Sequence, residues 1–329
     1  MHGINLNIRH LRAFREVAEH QSVSVASGHV YLSQPAITQA IAKLEFILEV
    51  KLFERRNNGM FVTQAGALFL NRVDRALEQI DGGARKAFRL HTKGKTGGFS
   101  TFGKLVTAAQ LRALLAVGEA GNFSLAARNV GLSQPTLYRT ARDLERLSGI
   151  ALFNKVSQGI ELTGAAQVLS QHSQLAFSEL NQGLEELKAL RGLDAGRIRI
   201  GTMPLARSFI LPRAINELTR DRNELDISVI DGPYDDLLHG LRFGHLDILI
   251  GALRSSVPVD DVIQHELFED ALVIVGRAGH PLIGRRNLSA DNLAGYPGVV
   301  PRADTPTRAY FEALFDGKKS NVSTHVVES

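Results

Sequence analysis

Between Leu11 and Ala65 the apolar residues recur at helical spacing in three blocks, and the pattern then changes to two short strand-like runs. Leu11, Phe14, Val17 and Ala18 share one face of a first helix over 7–19. A short helix rich in small residues follows, from Ser22 or Ser24 to Val30. Ile37, Ile41, Leu44 and Leu48 then give a third helix one buried face. Leu52-Phe53-Glu54-Arg55-Arg56 and Met60-Phe61-Val62-Thr63 flank Asn57-Asn58-Gly59, which predicts a hairpin. The same order returns 100 residues later, with Leu137, Ala141, Leu144 and Leu147 on the third helix and Gly159 in the hairpin. From Leu11/Leu111 to Ala65/Ala165 the two stretches align without a gap, and 19 of 55 pairs are identical. Unrelated residues would match at only about one position in fifteen. The stretches are copies of one unit, and the period is too long for a solenoid.

The third helix of each copy carries the candidate chemistry. Ser33 and Ser133 are placed to cap its first turn. Pro35 and Pro135 fall where a missing N–H costs little. The outer face presents Gln34, Thr38, Gln39 and Lys43 in the first copy. In the second it presents Gln134, Thr136, Tyr138, Arg139 and Arg142. An ordinary amphipathic helix also has a polar outer face. The neighbours favour a more specific reading. Ala26 and Ala126 allow two helices to approach closely. Tyr31-Leu32 and Gly131-Leu132 make a tight turn into the third helix. Helix, short turn and polar-faced helix is the arrangement that reads a major groove. The hairpin then acts as a wing, with Arg55 and Arg56, or Lys155, placed to meet phosphates.

Both units resemble the winged helix-turn-helix of LysR-type transcriptional regulators. The residues that carry the resemblance are Leu11-Arg12-Ala13-Phe14, Ala26, Leu32-Ser33-Gln34-Pro35, Leu44-Glu45, Leu52-Phe53-Glu54-Arg55 and Thr63-Gln64-Ala65-Gly66. Glu49 departs from the helix-ending glycine of the family, which Gly149 keeps. Asn154-Lys155 replaces the usual acid–arginine pair. The family normally carries one such unit, so which of the two, or whether both, contact DNA is open.

Thr63 is placed to cap a long helix over about 64–90, along which Leu68, Leu70, Val73, Leu77 and Ile80 lie. Gly82-Gly83 interrupts that pattern. Residues 91–103 read as a glycine-rich flexible connector between a first domain (1–90) and a second (104–191). Gly98 to Lys104 matches G-x-x-x-x-G-K, but Leu105 stands where a phosphate loop needs Ser or Thr and no strand precedes it, so no nucleotide site is expected. A second long helix covers 164–191. In the family this linker helix pairs two protomers, so the resemblance implies a homo-oligomer held by the 164–191 helix.

From Arg197 strands and helices alternate, which implies parallel βαβ units. Strands are expected at 197–200, 225–230, 247–251, 262–268, 272–275, 298–300 and 322–327. Helices are expected near 209–220, 234–243, 290–294 and 306–314. Gly196-Arg197-Ile198-Arg199-Ile200-Gly201, Leu211-Pro212, Gly244-His245-Leu246-Asp247 and His280-Pro281-Leu282 resemble the LysR effector domain. The expected fold class is therefore mixed. Two α-rich winged helix-turn-helix domains precede an α/β, type 2 periplasmic-binding-protein-like domain over 196–329. The resemblance stops abruptly at Val326-Val327-Glu328-Ser329, so this domain is expected to be incomplete, with apolar strands left partly uncovered.

Ligands of parallel α/β sheets bind beyond the C-terminal ends of strands. That points to Thr202, Met203 and Pro204, to Asp231-Gly232, and to Pro301 and Thr305. Ordinary loop and cap roles serve equally well for any one of them. The chain has no cysteine, which excludes disulfides and cysteine-held metals. No G-x-S-x-G, no H-E-x-x-H and no histidine cluster at ligand spacing occurs, so neither an enzyme nor a cofactor is expected. Asp235-Asp236 and Asp260-Asp261 read as solvated helix starts or loops, and His280 as a turn residue.

No run approaches 18 apolar residues and the first 25 are polar, so a cytoplasmic protein without a membrane partner is expected. Net charge falls from +6 over 1–95 to +2 over 96–191 and −4 over 192–329. The positive end covers the helix-turn-helix units, as a phosphate-binding surface requires. The resemblance implies double-stranded DNA, a small-molecule effector, a second copy of the chain and RNA polymerase as partners. The competing class is an interaction or ligand-binding protein whose helical units no longer hold DNA.

Overall fold

The computed structural model describes residues 6–57, 59–92, 99–192, 196–220, 222, 225–254, 258–303, 305–315 and 324–326. They divide into one unit ending at Ile250 and another beginning at Gly251.

The first unit opens with α1 (Ile8–His20), α2 (Val23–Val30), α3 (Gln34–Leu48) and the hairpin of β1 (Phe53–Arg56) and β2 (Gly59–Val62). Asn7, Ser22 and Ser33 cap the three helices with their side-chain oxygens. Phe14 lies at the centre of the core, its ring 5.4 Å from Phe53 and 5.9 Å from Phe69. Thr63 donates to the Lys51 carbonyl at 2.6 Å and accepts from the Gly66 amide at 2.9 Å, so it joins the hairpin to the next helix.

That helix, α4 (Gln64–Thr92), runs unbroken through Gly82-Gly83. The expected interruption is absent, and Leu68 faces outward while Phe69 is buried. After α4 comes α5 (Phe99–Leu105), a helix inside the stretch expected to be a flexible connector. Phe102 anchors it: the side chain is buried, and its ring meets Phe88 at 6.4 Å. Gly94, Gly97 and Gly98 of that stretch lie outside the described residues. Gly103 and Lys104 are helical, unlike a phosphate loop, and the Gly98 end of that match lies outside the described residues.

The second copy repeats the first as α6 (Ala108–Ala120), α7 (Phe123–Asn129), α8 (Gln134–Ser148), β3 (Phe153–Val156), β4 (Gly159–Leu162) and α9 (Gly164–Leu190). Ala26 and Ala126, the small residues at matching helix crossings, are both fully buried. Two glycines with left-handed or extended positive φ recur for a steric reason. A Cβ on Gly59 would come 2.7 Å from the Gln21 carbonyl oxygen, and one on Gly159 would come 2.4 Å from that of Gly121. Each hairpin is thus held against the end of its first helix, where Met60 and Ile160 donate to the same carbonyls.

Helices α4 and α9 pack along one another in antiparallel sense. Arg72 near the start of α4 meets Glu179, Gln182 and Glu186 of α9, at 2.7 Å for Glu179 and 2.6 Å for Gln182. Gln79 meets His172 at 2.6 Å further along. Glycine sets the spacing at both ends. A Cβ on Gly83 would lie 2.3 Å from His172 Cβ, and one on Gly183 would lie 3.1 Å from Arg72 Cβ. The apolar face of 164–191, expected to hold a second protomer, is therefore covered by α4 of the same chain. Leu180, Leu184 and Leu187 are buried there. The two carboxylates about Arg72 raise its already high pKa further, so it stays charged.

The remaining part of this unit is β5 (Arg197–Thr202), α10 (Pro204–Arg207), α11 (Ile210–Thr219), β6 (Asp226–Asp231), α12 (Tyr234–Arg242) and β7 (Ile248–Ile250). The strands form a parallel sheet in the order β6-β5-β7. Asp235 and Asp236 lie exposed in the first turn of α12, as expected for a solvated helix start.

The second unit contains α13 (Ala290–Ala294), β8 (Gly298–Val300), α14 (Pro306–Leu314) and β9 (Thr324–Val326), with β8 and β9 parallel. Strands expected over 262–268 and 272–275 are absent. No strand pairs with these segments among the described residues, and Leu267, Leu272, Val273, Ile274 and Val275 are exposed. Alternating or continuous apolar character makes a strand only where a neighbour takes up its N–H and C=O groups.

The α4–α9 contact predicts opposite effects for adjacent glycines. Gly83→Ala should destabilise by about 1–3 kcal/mol through overpacking against His172. Gly82→Ala, whose Cβ would meet only the Arg85 side chain at 3.9 Å, should be neutral or stabilise by up to about 1 kcal/mol. Urea denaturation of the two variants measures the difference.

Candidate nucleic-acid interface

Ser33 begins α3 by accepting from the Ala36 amide at 3.4 Å, and Ser133 does the same for Thr136 at 3.3 Å in α8. These hydroxyls start the helices, and Pro35 and Pro135 stand in the first turns. Buried leucines and isoleucines hold the inner face. Gln34, Pro35, Thr38, Gln39 and Lys43 are left exposed on α3.

Side chains of α2, α3 and β1 enclose an open groove of about 580 Å³, lined by Val23, Gln34, Pro35, Thr38, Gln39, Ala42 and Arg55. Five of the residues selected from the sequence thus converge on one concave surface. Arg55 is exposed and forms no ion pair among the described residues. A neighbouring groove of about 350 Å³ brings Lys43 together with Arg9 and His10. Burial, and then the Lys43 charge, hold His10 below the ordinary histidine range, so it is neutral near pH 7. Arg56 is engaged elsewhere, paired with Glu54 at 3.1 Å and lying over the Phe61 ring at 5.0 Å.

In the second winged copy larger side chains occupy the corresponding space. Val23, Thr38 and Ala42 become Phe123, Tyr138 and Arg142 at the same offset. Tyr138 packs edge-on to Phe123 at 5.1 Å, and the Arg142 guanidinium lies 5.1 Å from the Tyr138 ring. Arg142 also pairs with Glu145, so it braces the helix. Gln134, Arg139 and Lys155 remain exposed. Arg139 and Lys155 form no ion pair among the described residues.

Residues that position this surface were not selected from the sequence. Glu45 Oε1 accepts from the Leu52 amide at 2.9 Å, and Glu145 Oε1 from the Leu152 amide at 2.8 Å. Each carboxylate ties the third helix of its copy to the hairpin. Ser24 holds the Gln34 amide at 3.1 Å, and Ser124 donates to Gln134 at 2.9 Å. All four recur at the repeat offset, which was the available signal. Glu49 takes a left-handed conformation where Gly149 does so without penalty, and it pairs with Arg191 of the chain following α9 at 2.8 Å.

The residues considered for an effector lie apart from these surfaces. Thr202 is fully buried, with its hydroxyl donating to the Met203 carbonyl at 3.2 Å. Met203 and Pro204 follow the end of β5, and Asp231 ends β6 before Gly232; Asp231 pairs with Arg207 at 2.7 Å. Pro301 and Thr305 belong to the second unit. Thr305 caps α14, and the Pro301 carbonyl accepts from Arg308.

The family model for the bacterial regulatory helix-turn-helix protein of the lysR family matches residues 8–67 and again 108–167. The LysR substrate binding domain model matches 191–327. The HTH-type transcriptional regulator GalR of Pseudomonas putida is 32% identical over 323 residues, which cover 98% of this chain and 79% of that protein. The chain belongs to the LysR family of transcriptional regulators. YdcI of Escherichia coli, an HTH-type transcriptional regulator, is 28% identical over 230 residues, 70% of this chain and 75% of that one. Among solved structures, HinK of Pseudomonas aeruginosa, a LysR family regulator, has a TM-score of 0.32 at 24% identity, covering 68% of this chain and 74% of that one. This LysR regulator is a DNA-binding protein with a substrate-binding domain, and none of its described helices is long and apolar enough to cross a membrane.

The Glu145 contact predicts that Glu145→Ala costs about 1–3 kcal/mol by leaving two part-buried amides without an acceptor. Faster hydrogen exchange at Leu152 and Phe153, with the α8 amides unchanged, identifies the wing as the part released.

Proposed function

We propose that this protein is an effector-controlled transcription regulator in which one chain supplies two different DNA-reading units as an internal pair, the product of a tandem duplication. The observation that carries this is the α4–α9 interface. Its complementary glycines and the Arg72 cluster join the two winged units of one chain, and the apolar face that a second protomer would use is already covered. A further copy of the chain would associate through another surface.

The two units differ in what they present, so the DNA they prefer is asymmetric. The first offers a groove with Gln34, Gln39 and Arg55. The amide groups of glutamine match adenine, and Arg55 sits on the wing, where phosphates pass. The second presents Arg139, whose guanidinium matches guanine, beside a tyrosine–arginine stack. The effector is assigned to the C-terminal edge of the β6-β5-β7 sheet, beyond Met203, Pro204, Asp231 and Gly232, with Pro301 and Thr305 as the separate candidates of the second unit.

Fluorescence anisotropy with the gene's own upstream DNA tests the regulator reading. Affinity should fall steeply as salt rises, because each neutralised phosphate releases counterions. Absent or salt-insensitive binding would instead indicate a protein whose helical units serve other contacts. Sedimentation of the complex should give one two-part site per chain. Gln34→Ala should relax preference in one half of that site, and Arg139→Ala should cost about 1–3 kcal/mol in the other half. Equal effects of both variants on the same half would contradict the asymmetric pair.

A further inference from the structure

The first winged unit contains a side-chain cluster that DNA reading does not use. Glu16 and His20 stand one turn apart on α1, and His29 faces them from the end of α2. One ligand atom from each residue lies within 4.8 Å of the others. The two imidazoles are stacked with centroids 4.5 Å apart, and His20 Nε2 is 3.7 Å from Glu16 Oε2. Arg15 holds the other carboxylate oxygen of Glu16 at 3.2 Å. That contact leaves Oε2 turned toward the histidines, an orienting role of the kind that partners of metal ligands play.

The repeat supplies an internal comparison. At the offset of 100 the three positions are Ala116, Ala120 and Asn129. The same helices pack there without any of the three ligands, so the fold itself does not require them. The second copy thus marks the three positions as free to hold other side chains.

We propose that Glu16, His20 and His29 form a binding site for a divalent transition-metal ion, with Zn2+ as the chemical type. Two imidazole nitrogens and one carboxylate oxygen suit zinc, and a fourth position would be taken by water. Tetrahedral bonds of about 2.0–2.1 Å require the three atoms to draw closer than they now stand. His29 is exposed at a helix end and has the freedom to turn. The ion clamps α2 to α1 next to two structural joints. Gln21, the residue after His20, accepts from the wing amide of Met60 at 2.9 Å. Tyr31, two residues after His29, is the left-handed turn into α3. Occupancy therefore steadies both the reading helix and the wing of the first unit only.

Isothermal titration of the untagged full chain with Zn2+ tests the site. The variants E16A, H20A and H29N each install the residue that the second copy already tolerates at the equivalent position, so folding should survive. One equivalent per chain at micromolar Zn2+ is expected, with binding weakened at least tenfold in H29N and abolished in the triple variant. Circular dichroism and thermal melting of the metal-free variants should match those of the wild type. An unchanged isotherm in the triple variant, or no binding by the wild type in this range, would overturn the proposal.

Discussion

The architecture depends on how closely two long helices can approach. Gly83 of α4 and Gly183 of α9 remove the side chains that would hold the backbones apart. Arg72 then satisfies two carboxylates and an amide on the facing helix from a largely shielded position. Packing at this distance consumes the apolar faces of both helices. It converts two similar domains on a string into one body with two winged ends. The arginine contributes direction as well as energy, because its planar donors match the facing groups in only one register.

The same interface leads into the α/β part of the unit. Gln182 accepts from Arg72 and donates to Asp247 at 3.3 Å. Asp247 in turn accepts from the Arg199 amide at 2.7 Å, at the start of the parallel sheet. A continuous set of hydrogen bonds thus joins the helix pair to the strands whose far ends carry the effector candidates. The helix pair and the parallel sheet share one hydrogen-bonded framework.

The two copies show what divergence does once a fold is secured. Both keep the capping serines, the buried alanine, the wing glycine and the glutamate that joins helix to wing. Each of these satisfies a backbone group or a close approach, so substitution carries a direct cost. The outer face has no such restraint. There Thr38 became Tyr138 and Ala42 became Arg142, or the reverse, and a groove became a filled surface.

Residue pattern alone determined the helices, hairpins and caps of both winged units, because their signals are local. Helical spacing, N-cap residues and turn residues act within a few positions of one another. It also located the exposed faces of α3 and α8, since those are the complement of the buried ones. The long-range decisions came only with the tertiary structure. Gly82-Gly83 looked like a break until α9 lay against it. Residues 99–103 looked like the end of a glycine-rich connector until Phe102 lay against Phe88. The apolar runs at 262–268 and 272–275 looked like strands, but no neighbouring strand pairs with them among the described residues. The 164–191 helix showed an apolar face whose partner no periodicity could name, because a hydrophobic surface specifies burial and not what covers it.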